Sequence, residues 1–340
     1  MAKIDNSFRI PLGASSEAPA RGECLPEGIL AEPIASRCLM KLAIFTLYEG
    51  DYHLGVAALI NSAARCGFQG RMFLLYRDQR PSWASAELEH SLEESGIKLV
   101  FEPCNPPRHL GYHKPFAAQQ ILARHPDLDG LIYADPDVVF LAPWLFFEKW
   151  MTGGVALCLD CNYGWIHKNH PWRVEWRALA ERAGLAIRHE PTEYPNSGFF
   201  AVRSEEREFL QHWVQGILQF EREGGDTRRF AMEDRYRPIC GDQDVLAASL
   251  YAASKEPAYI GPEGMGFNGH FFILSHAVDS PKPWRWCFSK QALLGKKPSM
   301  PAKIWLQHIR RPIPAISNFK YCVMKVDLSL GLAVSRIWRR

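Results

Sequence analysis

The sequence predicts an α/β fold, a sheet covered by helices whose strand-end loops share one rim. Apolar runs of strand length alternate with stretches of helical spacing along residues 41–134, the βαβα pattern of that class. One run, Leu131-Ile132-Tyr133-Ala134, ends in Asp135-Pro136-Asp137 and is followed by Val138-Val139-Phe140-Leu141. Ligands of such sheets gather at the carboxyl ends of strands, where these two carboxylates stand. With 340 residues, 47% of them hydrophobic, the chain has enough apolar side chain for a sizeable core.

Residues 41–47 (KLAIFTL) read as the first buried strand. Asp51 is placed to cap the helix that follows over residues 52–66, where apolar positions recur at helical spacing. Residues 71–76 (RMFLLY) and 98–101 read as the second and third strands, with a helix over residues 81–95 between them. Residues 113–124 read as a helix leading into the strand at 131–134. Beyond the Asp-Pro-Asp turn the order changes. A strand at 154–159 is followed by a Trp- and His-rich stretch at 163–176 and a helix near 175–183. A short strand at 198–202 and helices at 205–220 and 243–251 come next.

No internal repeat is evident, and no linker clearly divides the chain. The expected organisation is a poorly ordered extension at 1–38, a single domain at 39–320 and a tail at 321–340. The tail mixes Val, Leu and Ile with Lys325, Arg336, Arg339 and Arg340, so it either packs on the body or lies on an anionic membrane surface.

A net charge of +3 is too small an electrostatic footprint for nucleic acid. No apolar run is long enough to span a bilayer, and residues 1–37 lack the positive-then-apolar pattern of a secretory signal. The scattered cysteines suit a reducing compartment, so a cytoplasmic location is expected, free or peripheral to a membrane. Cys158 and Cys161 form a Cys-x-x-Cys pair without the second pair of a zinc site and without a thioredoxin-like context. They read as structural.

Two carboxylates at the tip of a buried strand are costly to hold without a counter-charge, and a divalent cation is the simplest one. Far downstream, His276 and Lys282 offer a third ligand and a phosphate partner. Two aspartates with one imidazole favour Mn²⁺ over Ca²⁺, with Mg²⁺ as the alternative. Such an ion would stabilise the charge on a departing nucleoside diphosphate. The same flanks also match the nucleophile motif of haloacid-dehalogenase-type phosphatases, in which Asp135 would attack a phosphoryl group. In those enzymes the motif opens the domain, whereas here a βαβα segment precedes it. A non-catalytic nucleotide-sugar-binding protein is the third reading.

Four segments in order carry a resemblance: the Asp135-Pro136-Asp137 turn, residues 192–202 (TEYPNSGFFAV), residues 241–247 (GDQDVLA) and residues 275–284 (SHAVDSPKPW). Together they resemble the family 8 glycosyltransferases, the group that includes glycogenin and bacterial lipooligosaccharide galactosyltransferases. The family's late motif, His-x-x-Gly-x-x-Lys-Pro-Trp, is matched at His276, Lys282, Pro283 and Trp284 and departs at Asp279, which stands in place of the glycine. A glycine there permits a positive φ or close approach to phosphate.

The resemblance covers residues 41–284 and implies the GT-A fold, a sandwich with a mixed central sheet. It implies Mn²⁺ held by Asp135, Asp137 and His276, with Lys282 on the diphosphate of a UDP-sugar. Thr46, Leu47 and Tyr52 would contact the nucleoside, and Lys114 would meet the donor. Asn196, Asp242 and Gln243 would surround the transferred sugar, Asp242 on its hydroxyls and Gln243 near the anomeric carbon. Asp242 also suits the N-cap of its helix. The implied reaction is retaining transfer of a hexose to a glycan, a glycolipid or a protein. Trp165, Trp172, His167 and His170 either line an acceptor site or pack at the surface, and His308 sits in an apolar setting that suits a core histidine.

Overall fold

The computed structural model describes residues 40–231, 236–267 and 273–337. The expected extension at 1–38 lies outside them. In chain order the elements are β1 (Leu42–Tyr48), α1 (His53–Arg65), β2 (Gly70–Tyr76), α2 (Ala86–Glu94), β3 (Ile97–Pro103), α3 (Leu110–Arg124), β4 (Gly130–Ala134) and β5 (Val138–Phe140). Then follow α4 (Trp144–Met151), β6 (Ala156–Leu159), α5 (Pro171–Arg182), β7 (Pro195–Arg203), α6 (Glu208–Arg222) and α7 (Asp242–Ser249). Last come β8 (Ala258–Ile260), β9 (Leu274–His276), α8 (Phe288–Leu293), α9 (Met300–His308) and α10 (Asn318–Ile337).

Seven strands form one mixed sheet in the order β3-β2-β1-β4-β7-β6-β8. β1, β2, β3 and β4 run parallel, while β7 is antiparallel to both β4 and β6. Alternate side chains of β1 feed opposite layers. Ile44 joins the core under α1, and Phe45 joins the core under α3. Both faces of β1 are covered, which is why its sequence is a continuous apolar run. The chain runs from β1 outward to β2 and β3, then returns to place β4 on the other side of β1. That reversal opens a crevice at the carboxyl ends of β1 and β4, just where Asp135 leaves the sheet.

The expected core elements are present, with shifted ends. α2 begins at Ala86 because Ser85 Oγ accepts a hydrogen bond from Leu88 N at 3.3 Å. α5 begins four residues before the expected Glu175, with Pro171 in its first turn and His170 Nδ1 accepting from Trp172 N. Asp51 does not cap α1; its carboxylate pairs with Arg285. Asp242 is not an N-cap either, since the cap of α7 is Gly241. Asp244 serves that helix start instead, its Oδ2 accepting from Cys240 N at 2.7 Å and Gly241 N at 3.0 Å. Of the expected tail, residues 321–337 lie in α10, which packs on α8: Asp327 accepts from Ser289 N at 3.0 Å, and a Cβ on Gly331 would stand 2.8 Å from the Phe288 carbonyl.

Candidate active site

β4 delivers Asp135 and Asp137 into the crevice, and a second, two-stranded sheet delivers the histidine. β5 follows the turn directly and pairs antiparallel with β9, with Val138 opposite His276. This register sets His276 Nε2 3.2 Å from Asp137 Oδ1 and 3.6 Å from Asp135 Oδ2. One ligand atom from each of the three residues lies within 4.8 Å of the others. Two hard carboxylate oxygens and one imidazole nitrogen, converging at that spacing with Asp137 and His276 buried, fit a divalent cation such as Mn²⁺ or Mg²⁺.

Two glycines make room for the turn and for His276. A Cβ on Gly55 in α1 would stand 2.2 Å from the Pro136 carbonyl oxygen. A Cβ on Gly198 in β7 would stand 2.4 Å from His276 Cε1 and 2.9 Å from Asn196 Oδ1. Gly198 also holds the turn directly, its carbonyl accepting from Asp135 N at 2.8 Å. Gly198→Ala is therefore expected to displace the imidazole and weaken Mn²⁺ binding roughly tenfold or more. Titration calorimetry beside a thermal melt checks this; unchanged affinity would show that the imidazole is not a ligand.

A half-buried lysine and a buried one balance the carboxylates. Lys282 Nζ donates to Asp137 Oδ2 and to the Ala277 carbonyl, both at 2.7 Å. Lys114 Nζ, from the first turns of α3, lies 2.9 Å from Asp242 Oδ2 and 3.3 Å from Asp135 Oδ1, and donates to the Ser197 carbonyl at 3.0 Å. Burial works against the charge on Asp137, yet His276 and Lys282 outweigh it and hold its carboxyl well below the usual range. Burial likewise opposes the Lys114 ammonium, but Asp135 and Asp242 raise its pKa above the ordinary lysine value. Tyr133 donates its hydroxyl to Asp135 Oδ1.

Asn196 and Gln243 form one amide network centred on Asp160 at the end of β6. Asp160 Oδ2 accepts from Asn196 Nδ2 and from Gln243 Nε2, each at 3.2 Å, and Oδ1 accepts from Asn162 N at 2.8 Å. Gln243 Oε1 accepts from Ser197 N at 3.1 Å, so both ends of its amide are engaged. Behind them burial pushes Asp244 up to about 6, while Tyr194 donates to it at 2.6 Å.

One cavity of about 690 Å³ joins these groups. Asp135, Asp137, His276 and Lys282 line it, as do Lys114, Asn196, Asp242 and Gln243, together with Leu47 and Tyr52. Thr46 does not line it. That side chain is fully buried in β1 and its hydroxyl meets no partner, whereas Leu47, Tyr48 and Glu49 at the strand end line the cavity. Trp172 and Tyr163 line the cavity and stack edge to face at 5.2 Å, whereas Trp165 is 63% exposed and lies outside it. His308 is half-buried, its Nδ1 2.9 Å from the Ile304 carbonyl. Asp279 is exposed, outside the cavity lining, and without a left-handed backbone; among the described residues Asp78 is the one non-glycine with positive φ. The sequence reading missed Asp160. The signal was the one that exposed Asp135, a carboxylate ending the apolar run Ala156-Leu157-Cys158-Leu159.

No protein-family model and no curated protein matches the chain. Among solved structures it is similar to the glycosyltransferase GlyE of Streptococcus pneumoniae TIGR4, with a TM-score of 0.51 and 12% identity over 87% of this chain and 64% of GlyE. The bifunctional glycosyltransferase WbbM gives a TM-score of 0.49 and 13% identity over 86% of this chain and 52% of its own. An active-site mutant of LgtC gives 0.48 and 14%, over 82% of this chain and 98% of its own. The chain thus spans less than two thirds of GlyE's length. At 12% identity the likeness to GlyE is one of fold, and the seven-stranded mixed sheet with its helical layers is the expected GT-A fold.

Proposed function

We propose that the chain is a retaining glycosyltransferase of the family 8 type, moving a hexose from a UDP-sugar to a glycan, glycolipid or protein acceptor. The observation that carries this reading is the convergence, in one cavity, of a cation-suited cluster, a lysine beside it and an oriented amide network. Asp135, Asp137 and His276 would hold Mn²⁺ or Mg²⁺. The ion would supply Lewis-acid stabilisation of the leaving diphosphate. Lys282, which donates to Asp137 and to the Ala277 carbonyl, would meet the diphosphate. Leu47 and Tyr52, which line the cavity, would contact the nucleoside.

Asp242 binds sugar hydroxyls while Lys114 fixes its carboxylate. Gln243 is a poor nucleophile, and its carbonyl oxygen is already an acceptor for Ser197 N. The acceptor hydroxyl therefore attacks on the face the leaving group departs from, and the departing phosphate takes its proton. The protein contributes position and charge. The phosphatase alternative draws no support from the topology, since Asp135 follows the fourth strand in chain order and its Oδ1 is engaged by Tyr133 and Lys114.

The test is a screen of UDP-sugars with Mn²⁺, read as UDP release and donor-induced thermal shift. Metal-dependent hydrolysis or transfer supports the reading. Binding without turnover on any acceptor indicates a non-catalytic relative, and phosphate release from small phosphomonoesters that Asp135→Asn abolishes indicates the phosphatase. Gln243→Ala is expected to lower turnover by about 10–100-fold while sparing UDP affinity. A wild-type rate would remove Gln243 from the reacting centre.

A further inference from the structure

The charge of this chain is divided very unevenly. Residues 281–340 hold 13 of the 40 basic residues and one of the 37 acidic ones, a net of +12 that leaves −9 on the rest. α10 lies within this basic segment. Its buried side, Met324, Gly331 and Ser335, faces α8. A second apolar stripe faces away: Phe319 is 80% exposed, Val323 49%, Val326 60%, Leu330 54% and Ile337 74%.

At about 100° per residue these five side chains fall within an arc of roughly 60°. Lys320 borders that arc on one side, and Lys325 and Arg336 border it on the other. None of the three forms an ion pair among the described residues, and the single acid of the segment, Asp327, is turned inward onto Ser289. On the neighbouring α8, Leu293 is 60% exposed, and Leu294 at its end is 66% exposed. No described helix is long and apolar enough to cross a membrane.

An apolar stripe about 30 Å long, flanked on both sides by unpaired cations, is the arrangement that lies in a lipid interface rather than across it. A second copy of the chain would set this +12 segment against itself, which disfavours self-association. We propose that α10 is a docking face for an anionic bilayer surface, its stripe entering the headgroup boundary and its lysines and arginine meeting anionic headgroups. This goes beyond the proposed reaction and stands without it.

The full chain, sedimented with phosphatidylcholine vesicles containing about one third phosphatidylserine, is expected to bind, and to bind far less at high salt or to phosphatidylcholine alone. Leu330→Glu and Val326→Glu, both on exposed positions, are expected to weaken binding roughly tenfold each with an unchanged melting temperature. UDP-sugar turnover in solution, measured in parallel, keeps the two proposals separate, because neither variant touches the cavity. Vesicle binding that the two variants leave intact would overturn the assignment. So would failure to bind anionic vesicles, or a dimer in sedimentation velocity that Leu330→Glu dissolves.

Discussion

Asp137→Asn is expected to abolish Mn²⁺-dependent UDP binding, with a loss of at least about a hundredfold in metal affinity. Asp137 is 6% exposed and lies between His276 Nε2 at 3.2 Å and Lys282 Nζ at 2.7 Å, so it is the oxygen donor most enclosed by the cluster. The amide keeps the shape of the side chain but removes the charge that both neighbours face. A neutral oxygen does not repay the dehydration of a divalent ion, and the remaining Asp135 also answers to Lys114 and Tyr133. The variant should still fold, because Lys282 retains the Ala277 carbonyl as acceptor at 2.7 Å. Calorimetry with Mn²⁺ and UDP, beside a thermal melt, separates the two effects. Unchanged affinity would remove Asp137 from the metal site; equal loss of fold and affinity would make the pair with Lys282 structural.

The parts of this protein legible in sequence are those with a period. β1, β2 and β4 announce themselves as apolar runs because helices cover both faces of the sheet, α6 shows one buried stripe, and α1 is apolar over most of its length because it is buried from Leu54 to Ala63. The Asp-Pro-Asp turn is legible because charge at the end of such a run demands an explanation. β5 and β9 were not expected. Each has three residues, too few to establish alternation, and their pairing joins positions far apart in the chain. Yet that pairing brings His276 to the turn, so the sequence offered the candidate ligand without the geometry that sets it beside the two aspartates. Gly55 and Gly198 carried no signal because their constraint is a close approach across the fold rather than a turn. The Asp51 and Asp242 caps failed for a related reason: local capping preference lost to the ion pairs with Arg285 and Lys114, partners that sequence distance conceals.

Lys114→Met is expected to cost about 3–5 kcal/mol of stability, the usual effect of removing one partner from a buried charge pair. Lys114 is 4% exposed, and its ammonium holds Asp242, Asp135 and Ser197 at once, from α7, the end of β4 and β7. Methionine fills the space but leaves two carboxylates without their common cation. Arginine should not rescue it, since a planar fork cannot replace a compact ammonium among three acceptors. The pH dependence has a definite sign. A lysine whose folded pKa is raised contributes stability fully below its unfolded value, near 10.4, and loses it only as pH rises through the higher folded value. Wild type and Lys114→Met should therefore differ by a constant amount across neutral pH and converge in strong base. A donor-binding lysine without this structural role would instead leave the melting temperature alone and raise the KM for the UDP-sugar. The double variant Lys114→Met with Asp242→Asn decides between them. If the pair is the unit, the double variant is less destabilised than the sum of the two single variants, because no unpaired charge remains on the Asp242 side.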